Sequence, residues 1–274
     1  MHIHFISTDA RQNAAKEALD RDFFATSGAF SATNDPPDIV VLPIPTTRDG
    51  ISLTESDLTL EALHHTLPQK TALIGYGDKP AAFGSRPYID LSQDEIFVSA
   101  NAALTAEGAA SMLFDNLHRE YGLSLESTVP VILGYGRIAQ SLAKRLSPFA
   151  CPILIGARRT EARMAAAGNG YFSFDLSNRE FFSGRGRLLF KERPHILINT
   201  VPSAAVIGCA EEMPSPLFGL ELSGRNDVLA ACRALPFPVL DGRALPARRT
   251  PVAAGRLLAA AIRRSINNRT NLST

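Results

Sequence analysis

The fold of this 274-residue chain is decided by the stretch Val129-Pro130-Val131-Ile132-Leu133-Gly134-Tyr135-Gly136-Arg137-Ile138-Ala139. It joins an all-apolar strand to a turn of the form G-x-G-x-x-G/A that opens a helix. The first glycine permits a tight turn, and the second removes a side chain where a pyrophosphate would approach the amides of the helix start. A helix and a second strand follow in the order of a dinucleotide-binding βαβ unit. The predicted cofactor residues of this loop are Gly134, Tyr135, Gly136, Arg137 and Ile138.

The residues after the second strand of this unit bear on the choice between NAD and NADP. An acid about 20 positions after the glycines would bind a ribose hydroxyl and repel a 2′-phosphate. The sequence there instead reads Gly156-Ala157-Arg158-Arg159-Thr160. Two guanidinium groups and a hydroxyl are natural phosphate donors, so Arg158, Arg159 and Thr160 predict NADP. The alternative is that both arginines are solvated residues at a helix start.

A second polar segment, Asn199-Thr200-Val201-Pro202-Ser203, leaves a later strand of the same unit. The carboxyl ends of parallel strands line the ligand crevice in open α/β sheets. Asn199, Thr200, Val201 and Pro202 are therefore predicted to lie near the nicotinamide. The alternative is a turn in which Asn199 and Thr200 bond only to their own backbone.

Strands and helices alternate on both sides of the motif. This pattern predicts the α/β class, with two Rossmann-like, doubly wound parallel-sheet domains. Upstream, helices are expected at about 10–24 and 56–67, and apolar spacing predicts a long helix from Leu104 to Tyr121, with Thr105 or Asn101 able to cap it. The predicted domains are 1–103, 104–250, and a helix in 251–274 that returns to the first domain.

Composition and charge exclude several classes of function. Hydrophobic residues make up 45% of the chain and charged residues 20%, which is typical of a globular protein. Basic and acidic residues number 28 and 27, so no global field recruits nucleic acid or a membrane surface. We expect a cytoplasmic protein, because no signal peptide or apolar span of about 20 residues is evident. The three cysteines lie far apart without a CxxC pair, so we expect no metal site.

Several motifs together resemble the A subunit of dipicolinate synthase, and they follow one another along most of the chain. They are Asp9-Ala10-Arg11-Gln12, Leu42-Pro43 with Thr46-Thr47-x-x-Gly50, Thr105-x-Glu107-Gly108, the loop at Gly134, Gly156-Ala157-Arg158, Asn199 to Ser203, and the final helix from Pro251. The resemblance implies NADP-dependent oxidation of dihydrodipicolinate to dipicolinate in the mother cell of a sporulating bacterium. It also implies a flavoprotein-like second subunit. The segment from Glu221 to Asn226 departs from the family, because it is shorter than the family's acid- and glycine-rich stretch.

That reaction needs a group to accept a proton and donors for two carboxylates. Glu107 is the candidate base, because Thr105-x-Glu107-Gly108 is expected at the start of the helix between the domains. Helix-start capping by Thr105 and Glu107 is the alternative.

The small dicarboxylate substrate would be bound by Arg11, at the end of the first strand, with hydroxyl donors from Thr46, Thr47 and Thr105. The alternative for Arg11 is an exposed arginine of the first helical turn. Arg243, Arg248 and Arg249 are the next candidates for the carboxylates.

Two other functions stay open at this point. Another two-domain NADP oxidoreductase, acting on a hydroxy or keto acid, would require a His with a carboxylate partner. A non-catalytic Rossmann module that binds nucleotide is the second. A homo-oligomer is compatible with each of them.

Overall fold

The computed structural model describes residues 1–7, 9–29, 36–54, 56–150, 152–178, 193–203 and 216–272. The chain divides into two compact units. Unit 1 comprises Met1–Asn101 and Pro246–Thr274, and unit 2 comprises Ala102–Leu245. The boundaries predicted after residues 103 and 250 lie within five residues of these divisions. Cys151 and Cys209 lie outside the described residues.

Unit 1 is built on a parallel sheet with the strand order β2-β1-β3-β4-β5. Its strands are β1 (His2–Phe5), β2 (Phe24–Ser27), β3 (Ile39–Val41), β4 (Ala72–Gly75) and β5 (Tyr88–Asp90). Its helices include α1 (Ala10–Leu19) and α2 (Leu60–Thr66), followed by the start of α3 (Glu95–Asn116). Each face of the sheet carries its own apolar cluster, one around Phe5 and the other around Val40. Burial on both faces explains why β3 and β4 are apolar throughout.

The helix expected at 10–24 is shorter, and the prediction missed a strand. Asp9 caps α1 by accepting a hydrogen bond of 2.7 Å from the Gln12 amide, and the helix ends at Leu19. The chain then forms β2, an edge strand whose Phe24 pairs with His2 of β1. Pairing with a distant strand overrides local helix propensity here. The helix expected at 56–67 begins only at Leu60, where Thr59 caps it.

The C-terminal helix of unit 1 packs against α1. After α7 (Leu245–Arg249), α8 spans Pro251–Leu272. A Cβ on Gly255 would lie 2.5 Å from the Ala14 Cβ and 2.7 Å from the Arg11 carbonyl oxygen. The absence of a side chain at Gly255 therefore allows the two helices to approach closely.

Unit 2 is a six-stranded parallel sheet with the order β11-β10-β9-β6-β7-β8. Its strands are β6 (Val129–Leu133), β7 (Leu154–Ala157), β8 (Phe172–Asp175), β9 (His195–Asn199), β10 (Phe218–Glu221) and β11 (Val239–Asp241). The helices α4 (Arg137–Leu146), α5 (Thr160–Gly168) and α6 (Asn226–Arg233) accompany them. Strand order reverses between β6 and β9, which is where such sheets bind ligands. The predicted class, two doubly wound α/β domains, is confirmed.

Helix α3 begins nine residues earlier than the expected start near Leu104. Asp94 accepts a 2.9 Å bond from the Phe97 amide and so caps the helix at its true start. Thr105 and Glu107 therefore lie in the helix interior, and both the expected position of Glu107 at a helix start and the capping alternative are wrong.

By length and composition alone, the helical segment Glu95–Tyr121 could cross a membrane, with a mean hydropathy of 1.2. Its apolar residues Ala106, Leu113 and Leu117 are instead packed in the core of unit 2. This packing accounts for its composition.

Candidate functional site

The glycine loop after β6 contains two glycines with different roles. Gly134 has a φ of 95°, and a Cβ there would lie 2.5 Å from the Thr200 Oγ1 and 2.9 Å from the Val201 Cγ2. The fold itself therefore requires glycine at this position. The contact also places the loop that follows β9 directly against the glycine loop.

Gly136 is not required by the fold. It is the N-cap of α4 with a φ of −83°, its backbone is extended, and no side chain caps the helix. A Cβ at Gly136 would meet no atom within 4 Å. The start of α4 thus faces open space at Gly136. The first amides of a helix have no acceptor within the helix itself, which is the environment that a phosphate group uses.

The other residues predicted in this loop differ in their exposure. Tyr135 is buried in the core of unit 2, and its hydroxyl accepts a 3.0 Å hydrogen bond from Asn169. Burial raises the pKa of Tyr135. Ile138 packs against the same core, whereas Arg137 is exposed. The side chains of Tyr135 and Ile138 are therefore structural, and a ligand would use the backbone at these positions.

At the end of β7, Arg158, Arg159 and Thr160 are all exposed. The turn is held by Arg163, which the sequence reasoning missed. Its guanidinium donates to the carbonyls of Ala157 (3.0 Å) and Arg158 (2.6 Å) and to the Thr160 hydroxyl (3.0 Å).

Arg163 also pairs with Asp175 of β8 at 2.9 Å. The Ser177 amide and, to a smaller extent, Arg163 lower the pKa of Asp175. Long helical side chains point back toward the helix N-terminus, so the position of Arg163 one turn into α5 was the available signal. The guanidinium groups of Arg158 and Arg159 make no hydrogen bond or ion pair with any described residue, in contrast to that of Arg163.

The segment after β9 is joined to the glycine loop by backbone and side-chain bonds. The Thr200 hydroxyl donates to the Leu133 carbonyl at 2.7 Å, and the Thr200 amide donates to the same oxygen at 3.0 Å. The Asn199 amide group binds Glu221 at 2.6 Å, and its oxygen accepts from the Val201 amide. Both polar side chains are thus engaged within the protein, while Pro202 is exposed. The predicted contact with a nicotinamide stays a prediction.

In unit 1, Arg11 is buried, with 4% of its surface exposed, so the alternative of an exposed arginine is wrong. Its Nη2 donates to the Ile44 carbonyl at 3.2 Å and pairs with Asp9 at 3.3 Å. The neighbouring Gln12 donates to the Leu42 carbonyl at 2.8 Å. The Arg11 Nε and the Gln12 Oε1 are buried without a hydrogen-bond partner among the described residues.

The threonines predicted beside Arg11 are already hydrogen bonded. The Thr46 Oγ1 accepts from the Tyr76 amide at 2.9 Å and lies 3.3 Å from the Tyr88 hydroxyl. The Thr47 hydroxyl donates a 3.0 Å hydrogen bond to the Asp49 carboxylate.

Thr54 was not predicted, yet its buried Oγ1 has no partner within the described ranges. Its amide donates to the Thr46 carbonyl at 3.0 Å. Arg11, Gln12 and Thr54 therefore all bond to the segment 42–46, and each keeps one buried polar atom unsatisfied. Unsatisfied buried polar atoms are costly, so this cluster marks a candidate ligand site.

The remaining candidates are dispersed. Thr105 is buried and Glu107 is exposed, both within α3. Arg243 pairs with Asp241 at 2.7 Å, whereas Arg248 and Arg249 are exposed. Among the described residues, no group of three or more His, Cys, Asp or Glu side chains could hold a metal ion.

The fold and the loops at the carboxyl edge of the unit 2 sheet define a two-domain α/β protein of the Rossmann type. No protein-family model and no curated protein matches the sequence. Solved structures do match it. The chain is similar to the A subunit of dipicolinate synthase from Bacillus halodurans, with 22% identity, a TM-score of 0.71, and coverage of 95% of this chain and 96% of the other.

Two further structures extend this comparison. Dipicolinate synthase A chain from Bacillus subtilis is 19% identical at a TM-score of 0.70, covering 98% of this chain and 96% of its own. An NADPH-dependent glyoxylate/hydroxypyruvate reductase from Sinorhizobium meliloti, in complex with NADP and sulfate, is 12% identical at a TM-score of 0.55, covering 98% and 95% respectively. At these identities the likeness establishes the shared fold.

Proposed function

We propose that this chain is an NADP-dependent oxidoreductase that oxidises dihydrodipicolinate to dipicolinate. The observation that carries the nucleotide assignment is Gly136, a glycine at a helix start that neither backbone conformation nor packing requires. A pyrophosphate approaching the α4 amides explains the absence of a side chain there. When bound, the nicotinamide supplies the hydride acceptor.

The choice of NADP over NAD rests on the end of β7. Arg163 and Asp175 fix the turn, and two neighbouring exposed guanidinium groups are available for a phosphate. No acidic side chain follows β7 directly, so a 2′-phosphate would meet no like charge in Arg158, Arg159 or Thr160.

The substrate assignment rests on unit 1 and on the two dipicolinate synthase structures of the same fold. Arg11 would bind one carboxylate through its unsatisfied Nε, and the Gln12 and Thr54 side chains would bind the rest of the substrate. Glu107 is the proposed acceptor of the proton that leaves as the ring becomes aromatic. By the same analogy we propose a flavoprotein-like second subunit or a homo-oligomer, and a role in the mother-cell cytoplasm during sporulation.

A reductase of hydroxy or keto acids is the second candidate, because the glyoxylate/hydroxypyruvate reductase shares this fold. Such chemistry would require a His with a carboxylate partner beside the nicotinamide. The six histidines lie within β1, at the start of β9, on α2, or just after α3, and none follows the carboxyl end of a strand. This placement favours the first candidate.

The cofactor assignment is tested with Gly136→Val, with Gly168→Val as the matched control. Gly168 also has open space around it, at the far end of α5. Titration of NADPH by its fluorescence should show binding to the wild type and to the control, and none to Gly136→Val, although that variant still folds. Equal binding by all three proteins would contradict the site.

The reaction is tested by anaerobic incubation with fresh dihydrodipicolinate and NADP, with and without a co-expressed second subunit, while dipicolinate absorbance is followed. Turnover of glyoxylate or hydroxypyruvate with NADPH, without dipicolinate formation, would favour the second candidate.

A further inference from the structure

A buried acidic residue, Glu221, ends β10 beside the loop that follows β9. None of its surface is exposed, and the strand register pairs it with Asn199 on β9. Its Oε1 accepts a 2.6 Å bond from the Ser223 amide, and its Oε2 accepts from the Asn199 Nδ2 at 2.6 Å and the Cys232 Sγ at 3.3 Å. A carboxylate is tolerated in a protein interior only with such donors. The Glu221 carboxylate thus joins the carboxyl ends of β9 and β10 to each other and to Cys232 of α6.

This carboxylate determines how the Asn199 side chain is oriented. A carboxylate only accepts hydrogen bonds, so the Asn199 NH₂ group must face Glu221. The Asn199 Oδ1 is then left to accept from the Val201 amide at 3.0 Å, and the second N–H reaches the Val201 carbonyl at 3.2 Å. The orientation chosen by Glu221 therefore closes the turn at residues 199–201.

That turn carries the residues that contact the glycine loop. Thr200 donates to the Leu133 carbonyl, and both Thr200 and Val201 occupy the space that a side chain at Gly134 would need. Ser223, held by the same carboxylate, has a buried hydroxyl without a partner among the described residues.

We infer that Glu221 is a positioning residue of the nucleotide site, acting through Asn199 on the turn at Thr200–Val201 and directly on Ser223. The inference rests on the proposed function in so far as unit 2 binds NADP. Glu221 itself would not touch the cofactor, yet it determines the shape of the surface that would contact the cofactor. The hydroxyl of Ser223 is the polar group that Glu221 holds at this edge for a ligand.

The test exchanges the carboxylate of Glu221 and the amide of Asn199, first singly and then together. Glu221→Gln directs an NH₂ group either at the Ser223 amide, which then loses its acceptor, or at the Asn199 Nδ2, which loses its acceptor together with the Cys232 thiol. Asn199→Asp places two carboxylates face to face. In Glu221→Gln with Asn199→Asp, the new amide donates to the new carboxylate, and the bonds of the Ser223 and Val201 amides are kept. The losses are the acceptor of the Cys232 thiol and the 3.2 Å bond to the Val201 carbonyl.

Two measurements report on each variant. Exchange of the Val201 and Ser223 amides with deuterium is followed in the unliganded protein, and the dissociation constant of NADPH is followed by fluorescence. Thr128→Val is the matched control, because the Thr128 hydroxyl is a fully buried donor to the Leu125 carbonyl just before β6, at the opposite edge of the same sheet. Its loss should lower the melting temperature without affecting either measurement.

We expect Glu221→Gln and Asn199→Asp each to weaken NADPH binding by about tenfold, the equivalent of one net hydrogen bond, and to speed exchange at Val201. The double variant should restore both values to within about threefold of wild type, as coupled residues do in a double-mutant cycle. If a single variant does not fold, a double variant that folds and binds supports the pairing, and one that stays unfolded contradicts it.

The inference is overturned if Glu221→Gln lowers the melting temperature like Thr128→Val but leaves amide exchange and NADPH binding unchanged. It is also overturned if the double variant is no better than the single ones. If the wild-type protein binds no NADPH while exchange at Val201 follows the pairing, the proposed function fails and the positioning of the turn stands.

Discussion

Arg158 and Arg159 directly follow β7, in a turn that is already held by another arginine, Arg163. Since Arg163 bonds the turn carbonyls and Asp175, removal of the two exposed guanidinium groups should leave the backbone in place. Replacing both with Ala should cost about 1.5–3 kcal/mol of NADP affinity for each charge-assisted bond that is lost. NAD affinity should stay nearly unchanged, and calorimetry with both cofactors makes the comparison.

Arg225→Ala is the control for that experiment, because Arg225 is an exposed arginine at the start of α6, paired with Asp227. It should weaken neither cofactor. Equal losses for NAD and NADP in the double variant would show that the pair acts only through general charge.

Arg11 is the second residue whose proposed role in ligand binding can be tested by substitution. Arg11→Ala should raise the KM for the dicarboxylate by about 10- to 100-fold, since a charged hydrogen bond contributes roughly 1.5–3 kcal/mol, and should leave NADPH affinity unchanged. Arg11→Lys keeps the charge and loses the planar donors that reach the Ile44 carbonyl, so it should recover only part of the affinity. Binding of dipicolinate itself, measured by calorimetry, checks both variants. Unchanged dipicolinate binding in Arg11→Ala would remove unit 1 from the substrate site.

At the scale of the elements, the packing of α8 on α1 depends on one glycine. Gly255→Ala should destabilise unit 1 by about 1–3 kcal/mol, the usual cost of overpacking, although alanine is the better helix former by roughly 1 kcal/mol. The added Cβ would overlap Ala14 and the Arg11 carbonyl. The change in the free energy of unfolding is measured in urea, with amide exchange in α1 as the probe.

Gly168→Ala is the matched substitution, because nothing lies near Gly168 at the end of α5. It should be neutral or stabilising. If both alanine variants stabilise the protein, the close approach of α1 and α8 does not limit unit 1.

Some of the helices and strands could be predicted from the sequence, and others were missed. The β6 stretch and its glycine turn were predictable because strand, turn and helix start are encoded in adjacent residues. The start of α3 was missed because its cap, Asp94, is followed by the exposed Ile96, which breaks the apolar spacing. The edge strand β2 was missed because its Phe24 is exposed and its pairing is with a distant strand.

In the candidate site, the exposed loop residues were found from motif spacing, but the groups that hold the loops were not. Arg163 bonds a turn that begins six residues before it, and Glu221 bonds a side chain 22 residues away. The pairing of Arg163 with Asp175 and of Glu221 with Asn199 is set by strand order, whereas the bonds of Arg163 to the turn follow from its position in α5. Gln12 and Thr54 were missed for the same reason, since the segment 42–46 that they share is brought to them by the sheet.

For the whole molecule, the two units should respond differently to pH. Burial lowers the pKa of His4 in unit 1, the neighbouring His2 lowers it further, and only the bond to the Gly28 carbonyl opposes them. Because that carbonyl must accept from the His4 Nε2, the Nδ1 of neutral His4 accepts from the Thr26 hydroxyl. Protonation of Nδ1 removes this acceptor. Burial, and then the charge of Arg86, with smaller effects from His65 and Lys79, also lowers the pKa of His64 in unit 1.

The sign follows from proton linkage. A His with a folded pKa below its unfolded value of about 6.5 binds fewer protons when folded, so its contribution is present above that pH and is lost as pH falls below it. In unit 2, the bond from the Ser177 amide lowers the pKa of Asp175, and the bond from Arg225 lowers the pKa of Asp227. The stability that these two carboxylates contribute is lost only below about pH 4. Between pH 7 and pH 5, about the range in which unperturbed histidine titrates, His4 and His64 should therefore reduce the stability of unit 1, whereas Asp175 and Asp227 should not reduce that of unit 2. Amide exchange resolved by unit, measured across this range, should speed up in β1 and β2 and not in β8, which carries Asp175. His4→Gln, which can still donate to the Gly28 carbonyl but does not titrate, should flatten the response of β1 and β2. A parallel loss in both units, or an unaltered slope in His4→Gln, would mean that other groups set the pH dependence.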